Sequence, residues 1–108
     1  MSTLVLPAVS TYSSYDFQVQ LEDAWYRVAL YWNSRDGYWF LSLRDGVESL
    51  LVAGRKVVLG ASLLGRSIDP RLPPGWIFAV DTSGQGIDAG RADLGGRVIL
   101  AYMESTGP

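Results

Sequence analysis

The stretch AWYRVALYWNSRDGYWFLSLR, residues 24–44, decides the fold of this chain. It predicts two strands, 24–32 and 38–44, joined by the loop Asn33–Gly37, whose terminal glycine suits a β-hairpin. Both faces of this hairpin are apolar. An ordinary antiparallel pair on a small domain buries one face and exposes the other to water. We therefore expect this hairpin to be covered on both sides.

The length of the loop predicts how the two strands face each other. With five residues in the loop, Trp32 opposes Tyr38 and Tyr31 opposes Trp39. This register places Trp25, Tyr31 and Trp39 on one face, which forms a larger apolar patch than soluble monomers usually expose. Either a second layer of the same chain or a neighbouring subunit must cover it. We take these three aromatic residues as candidate partner-binding residues.

Further strands are predicted on both sides of the hairpin. The segment YDFQVQLE at 15–22 alternates apolar and polar residues, which is typical of a half-buried strand. Short strands at 47–52, 55–59, 76–80 and 97–103 follow, separated by turns rich in Gly and Asp. The segment WIFAV at 76–80 is expected to be buried. The pattern predicts an all-β fold, either an antiparallel β-barrel or a sandwich, with long Pro- and Gly-rich loops.

The length of 108 residues and the absence of a visible linker or repeat predict a single β domain over residues 1–108. Residues 1–14 are expected to form an extended N-terminal arm or edge strand, because Pro7 lacks the N–H that an interior strand donates. Residues 104–108 are expected to be a frayed tail.

Composition excludes several classes of function. The chain has no Cys and no His, which removes disulfides, thiolate nucleophiles and imidazole bases. Its net charge of −2 argues against nucleic acid as a partner, since phosphate contacts need a basic surface. No apolar run approaches the ~20 residues of a membrane span. The start MSTLVLPAVS does not match a signal peptide, so synthesis in a cytosol is expected.

Carboxylates are the remaining candidates for chemistry. The segment DTSGQGID at 81–88 matches part of a calcium loop, but its twelfth position is Ala92 instead of a bidentate Glu. A turn capped by Asp81 is therefore expected. Paired carboxylates serve glycoside hydrolases, yet each candidate Asp lies beside Gly or Pro or in a turn, where it caps the backbone. We predict that the chain is not an enzyme and has no catalytic, cofactor-binding or metal-binding residue.

The segment RSIDPRLPPG at 66–75 predicts a rigid loop, because its three prolines prevent regular strand pairing. A rigid loop binds a partner at little entropic cost, so Asp69, Arg71 and Leu72 are further candidate partner-binding residues. The alternative is a chain reversal that holds Trp76 in the core.

Three segments carry a family resemblance: RDGYWFLSLRD at 35–45, DPRLPPGWIFAVDTSGQGID at 69–88 and DLGGRVILAY at 93–102. In this order and spacing they resemble the baseplate plug proteins of contractile-tailed phages. The resemblance extends from Phe17 to Tyr102, and LPPG is its most distinctive element. It implies a small β-barrel-like structural virion protein at the centre of the tail baseplate. Such a protein plugs or links the hub and the tail tube, without catalysis or a cofactor.

The expected partners follow from this resemblance. They are other phage baseplate and tail proteins, including the hub and the tube, together with further copies of the chain in a trimer or hexamer. The protein is expected in the virion after synthesis in the host cytoplasm, without nucleic-acid or membrane partners. Arg–carboxylate pairs at the rim would set the register of the subunits. The alternative function is a carbohydrate-binding module that uses exposed aromatic residues for attachment to the host surface.

Overall fold

The computed structural model describes residues 3–21, 24–60, 62–64, 72–73 and 75–104. Within these ranges the chain is built from strands and contains no helix. The strands are β1 (Thr3–Val5), β2 (Ser14–Leu21), β3 (Ala24–Asn33), β4 (Tyr38–Asp45), β5 (Leu50–Lys56), β6 (Trp76–Asp81) and β7 (Val98–Met103). None of the described residues belongs to a helix that could span a lipid bilayer.

The strands form two antiparallel sheets. The four-stranded sheet has the order β2-β3-β4-β5, and the three-stranded sheet has the order β1-β7-β6. In the part of the chain that the structure describes, the sheets do not close into a barrel. The all-β prediction is confirmed, and of its two forms the sandwich is the one observed.

Apolar side chains from both sheets meet in one core. In β2 the predicted alternation is confirmed: Val19 and Leu21 are buried, whereas Asp16, Gln18 and Gln20 are exposed. Each fully buried aliphatic side chain stabilises the fold by roughly 1.5–3 kcal/mol relative to an exposed one. The largest fully buried side chains are those of Trp39, Tyr102, Leu21, Leu30, Leu41, Leu43, Leu63, Ile77, Leu94, Leu100, Val28 and Val57.

The register of the central hairpin, formed by β3 and β4, differs from the prediction by one residue. Asn33 opposes Tyr38, so Trp32 faces Trp39. The predicted pairing of Tyr31 with Trp39 is therefore wrong. Because side chains alternate between the two faces of a strand, this shift moves every side chain of β4 to the opposite face. Trp39 consequently belongs to the inner face of the sheet.

The shift arises because Asn33 is part of the strand and not of the loop. Its side-chain oxygen accepts hydrogen bonds from the backbone N–H groups of Arg35 and Asp36, both at 3.0 Å. The N–H of Gly37 donates to the Asn33 carbonyl at 2.8 Å, and Gly37 adopts a φ of 77° that favours glycine. These bonds close a loop of residues 34–37, one residue shorter than expected.

The single strand β5 replaces the two strands predicted at 47–52 and 55–59. Its pairing with β4 contains two register shifts, which absorb the irregularity without ending the strand. Gly54 supplies the required left-handed backbone with a φ of 56°, and its N–H donates to the Ser42 hydroxyl at 3.0 Å.

The segment between β1 and β2 crosses from one sheet to the other. The Leu6 N–H donates to the Leu100 carbonyl at 2.8 Å, which continues the contact of β1 with β7. Farther along, the Tyr15 hydroxyl accepts from the Val9 N–H at 2.7 Å and donates to the Val9 carbonyl at 2.6 Å. Burial raises the pKa of Tyr15, so this hydroxyl remains a donor. The segment is thus fastened to both sheets.

Candidate interaction surfaces

The structure places Trp25 and Tyr31 on the outer face of the four-stranded sheet. Trp25 is 56% exposed and Tyr31 is 38% exposed. The Tyr31 ring stacks on Phe40, with 5.4 Å between the ring centroids. The two exposed residues are six positions apart on β3, which corresponds to about 20 Å along a strand. They share a face but do not touch one another.

A polar band separates these two aromatic positions. Arg27 lies between them on β3 and forms ion pairs with Asp16 at 3.3 Å and Glu48 at 3.1 Å. The hydrogen bond that Arg27 donates to the Glu48 carboxylate is the main cause of the raised pKa of Arg27. The outer face of the four-stranded sheet therefore carries two small, separate apolar contacts, one at Trp25 and one at Tyr31, and not one continuous apolar surface.

Trp39 is unavailable to a partner because its side chain is fully buried. Its indole N–H donates to the Gly90 carbonyl at 3.0 Å, and its ring meets Trp32 edge-on with 5.7 Å between centroids. The Arg91 guanidinium lies 5.4 Å from its ring centroid. Trp39 thus holds the chain at Gly90–Arg91 against the four-stranded sheet. Its predicted place on the same face as Trp25 and Tyr31 is wrong.

The Pro-rich loop is described only in part. Leu72 is half-buried and packs against the core. Asp69 and Arg71 lie outside the described residues. Trp76, which follows the loop, is 43% exposed, so the alternative that the loop holds Trp76 in the core is wrong.

The outer face of the three-stranded sheet is an apolar surface that was not predicted from the sequence. Strand alternation directs Ile77, Ala79, Val98, Leu100 and Tyr102 into the core, where all five are buried. Eight positions of β1, β6 and β7 alternate with these and face outward without a charge, whereas Asp81, at the end of β6, borders the groove on this face. We call these eight positions the three-stranded outer face: Thr3, Val5, Trp76, Phe78, Val80, Ile99, Ala101 and Met103.

A groove of about 580 Å³ runs along the three-stranded outer face. Phe78, Val80, Ala101 and Met103 line its floor, and Leu59 borders it where that residue bridges to β6. The expectation that 76–80 is a fully buried strand is wrong on this side, since Val80 is 43% exposed. An apolar run without alternation is typical of a strand covered on both faces. The apolar sequence of β6 therefore did not indicate that, among the described residues, nothing covers the outer face of this strand.

The turn after β6 is organised by Asp81, as predicted. One oxygen of its carboxylate accepts from the Ser83 N–H at 2.9 Å and from the Ser83 hydroxyl at 2.6 Å. The other oxygen accepts from the Ile87 N–H at 3.2 Å and from Arg97 at 2.7 Å. Among the described residues, no group of three or more Asp, Glu, His or Cys side chains could hold a metal ion.

Arg97 is the residue that joins this turn to the next one. Besides Asp81, its guanidinium donates to the Asp93 carboxylate at 2.9 Å and to the carbonyls of Ile87 and Asp88 at 2.8 and 3.0 Å. Hydrogen bonding to Ser83 is the largest cause that lowers the pKa of Asp81 to about 2. The hydrogen bond from Arg97 is the main cause that lowers the pKa of Asp93.

These shifts predict how acid affects the fold. A carboxylate whose pKa is lower in the folded state adds stability above its unfolded pKa of 3.8, and this stability is lost as pH falls towards about 2. We expect Asp81→Asn to lower the melting temperature at pH 7. The difference from the wild type should shrink as pH falls from about 4 to 2. Thermal denaturation between pH 2 and 7 measures it.

The control for this experiment is Asp36→Asn, which removes an exposed carboxylate paired with Lys56 at 3.0 Å. An exposed pair contributes little, so its melting temperature should stay close to that of the wild type at each pH. A difference between Asp81→Asn and the wild type that stays constant down to pH 2 would contradict the role assigned to the Asp81 charge.

Comparison with known proteins yields one match that covers nearly the whole chain. Residues 3–105 match the family described as Cyanophage baseplate Pam3 plug gp18. No curated protein matches the chain. The match includes all seven strands and the segments that carry the resemblance to baseplate plug proteins, so that prediction is confirmed. The chain belongs to the family of cyanophage baseplate plugs described as Pam3 plug gp18.

Proposed function

We propose that this chain is a structural subunit that plugs or links the central hub and the tail tube of a phage baseplate through contacts between subunits. Membership of a baseplate plug family supports a structural role in the baseplate. The proposal requires no catalytic step and no cofactor. It concerns the virion tail, which the chain would join after synthesis in the host cytoplasm.

The three-stranded outer face is the observation that carries the proposal. Three adjacent strands present apolar side chains and one Thr outward, without a charged group. Exposed apolar faces of this kind mark protein interfaces, whose fully buried centres are depleted of charge. A partner with an unpaired charge at this face would lose hydration without compensation. The face therefore suits an apolar, uncharged surface of another tail protein.

Further contacts are proposed in addition to this face. Trp25 and Tyr31 remain partner-binding candidates, each as a separate small contact. The loop residues Asp69, Arg71 and Leu72 remain candidates as well, although the packing of Leu72 against the core points to a partly structural role. We also propose that the chain forms a trimer or hexamer in the assembled tail.

Arg–carboxylate pairs are less suited to the intersubunit role expected of them. Two arginines, Arg27 and Arg97, already pair with carboxylates of their own subunit. We therefore assign the contacts between subunits mainly to apolar surface.

The substitution Val80→Lys tests the three-stranded outer face. It places a charge on the β6 edge of this face, opposite Ile99 of β7, on an exposed side chain, so the fold should be retained. In phage particles assembled with the variant in place of the wild type, we expect at least tenfold less of the chain per tail. Quantitative mass spectrometry of purified tails measures this ratio.

The matched control is Ser34→Lys, which adds the same charge to the exposed loop of the central hairpin. It should be incorporated at the wild-type level. If folded Val80→Lys were also incorporated at that level, the three-stranded outer face would not be the contact surface.

The carbohydrate-binding alternative is less well supported by the geometry. A sugar platform needs neighbouring exposed rings, but Trp39 is in the core. Trp25 and Tyr31 are separated by about 20 Å of strand, and the ion-paired Arg27 lies between them.

A further inference from the structure

We propose that β2 is a pairing edge that joins two copies of this chain, β2 to β2 and antiparallel, about a two-fold axis. The inference goes beyond the proposed baseplate function and does not rest on it, because it concerns the purified chain in solution. It assigns a surface different from the three-stranded outer face.

The strand β2 lacks the features that protect sheet edges. Native proteins protect such edges with very short strands, prolines, bulges, lysines or charges that point inward. In contrast, β2 is eight residues long and pairs with β3 in an uninterrupted register. Its sequence SYDFQVQL contains no Pro and no Lys, and its inward positions are apolar.

The other edges of the described sheets carry such protection. At one edge of the three-stranded sheet, β1 has only three residues. At the other, β6 is bridged by Leu59 at Ala79. In the four-stranded sheet, β5 is interrupted by two register shifts and ends with Arg55 and Lys56. Within the described ranges, only β2 offers a long and regular free edge.

One hydrogen bond shows which backbone groups of β2 point to the free edge. The N–H of Trp32 donates to the carbonyl of Ser13 at 2.8 Å, one step before β2 in the same register. Because hydrogen bonding to a given neighbour alternates along an antiparallel ladder, the odd-numbered residues of β2 bond to β3. The N–H and C=O groups of Asp16, Gln18 and Gln20 therefore point away from the sheet.

We assign a register for the pair that satisfies both this alternation and the charges. Two free edges can bond only where even-numbered residues oppose one another. Centring the axis on Gln18 places Gln18 opposite its own copy and Asp16 opposite Gln20. Like charges then do not face each other across the strands. On the inner side, Phe17 faces Val19, which continues the apolar face.

The resulting contact extends the four-stranded sheet into eight strands. In this register three opposed pairs each exchange two backbone hydrogen bonds, about six in total. The side chains of Asp16, Gln18 and Gln20 are exposed on the outer face. No side chain of β2 needs to be moved out of the core to form the pair.

Sedimentation velocity of the purified chain over a range of concentrations tests the pairing. We expect a dimer that dissociates on dilution. Gln18→Lys and Gln18→Asp should each weaken the dimer at least tenfold, because identical charges would oppose each other at the axis. An equimolar mixture of the two variants should restore dimerisation, since opposite charges then meet. As controls, Ser34→Lys and Ser34→Asp, mixed or alone, should dimerise with the same affinity as the wild type.

A backbone test uses Gln18→Pro against Gln18→Thr. The Gln18 N–H points to the free edge, so proline in both copies removes two hydrogen bonds of the dimer without removing one to β3. Gln18→Pro should be monomeric while Gln18→Thr dimerises, with circular dichroism confirming that both are folded. If Gln18→Pro does not fold, the charge variants decide the question.

Two results would overturn the proposal. The first is a wild-type chain that remains monomeric up to about 1 mM, where even weak association is detected. The second is a mixture of Gln18→Lys and Gln18→Asp that dimerises no better than either variant alone, which excludes a register centred on Gln18.

Discussion

Replacing Trp39 with alanine is expected to lower the free energy of unfolding by about 3–5 kcal/mol, the usual cost of removing a buried tryptophan side chain. The ring is fully buried, and its N–H bonds to the Gly90 carbonyl. The substitution leaves a cavity between Trp32 and Arg91 and removes one of the two hydrogen bonds that the Gly90 carbonyl accepts, while the bond from the Asp93 N–H remains. Because small domains are stable by only about 5–15 kcal/mol, this loss removes a large share of the total stability.

Urea denaturation followed by far-ultraviolet circular dichroism measures this loss, since the chain contains four tryptophans and their fluorescence overlaps. The matched control is Trp25→Ala, which truncates the same residue type at an exposed position of β3. It should change the free energy of unfolding by less than about 1 kcal/mol. Equal midpoints for Trp39→Ala and the wild type would contradict the core position of Trp39 and the register of the central hairpin.

Gly75→Ala is the second substitution with a large expected effect, about 3 kcal/mol or slightly less. A Cβ atom at this position would lie 2.1 Å from the Met103 carbonyl oxygen and 2.6 Å from the Tyr102 hydroxyl oxygen. The Gly75 N–H also donates to that hydroxyl at 2.8 Å. Alanine must therefore push the end of the Pro-rich loop away from β7 and break this bond.

Gly46→Ala is the control for this steric effect. A Cβ atom there would meet the Trp25 carbonyl oxygen at 3.5 Å, an ordinary contact. Gly46→Ala should leave the free energy of unfolding unchanged or raise it by up to about 1 kcal/mol, because alanine lowers the conformational entropy of the unfolded chain. Thermal and urea denaturation compare the two. If Gly75→Ala were as stable as Gly46→Ala, the close approach of Gly75 to β7 would not exist.

The glycine at position 75 also explains why the LPPG element is distinctive in the sequence. Proline stiffness predicts a rigid loop there from residue type alone. The need for glycine at its end comes from the approach of Met103, which lies 28 positions later in the chain. A contact between such distant residues has no local signal.

The hairpin shows how far alternation alone can lead. Its existence and the strand before it follow directly from the sequence, and both are confirmed. The register does not follow, because β4 begins Tyr-Trp-Phe-Leu and offers large apolar residues to either face. What decides between the two faces is the capping of the loop by the Asn33 side chain. A one-residue difference of this kind reverses which aromatic residues are exposed.

The candidate surfaces were also predictable only where the signal is local in the sequence. Asp81 was correctly predicted to cap a turn, since Asp followed by Ser and Gly is a local pattern. Arg97 was not singled out, because nothing near it in the sequence marks it as the partner of both Asp81 and Asp93. The three-stranded outer face was missed because uniformly apolar strands are also typical of strands covered on both sides.

The position of β7 between β1 and β6 has a consequence for biosynthesis. The three-stranded sheet lacks its middle strand until residues 98–103 have been translated. The four-stranded sheet is available much earlier, once residue 56 has emerged. At 5–20 residues per second, roughly 2–10 s separate the two events. During this interval the inner face of the four-stranded sheet, which carries Trp39, lacks its covering layer and is open to chaperones in the translating cell.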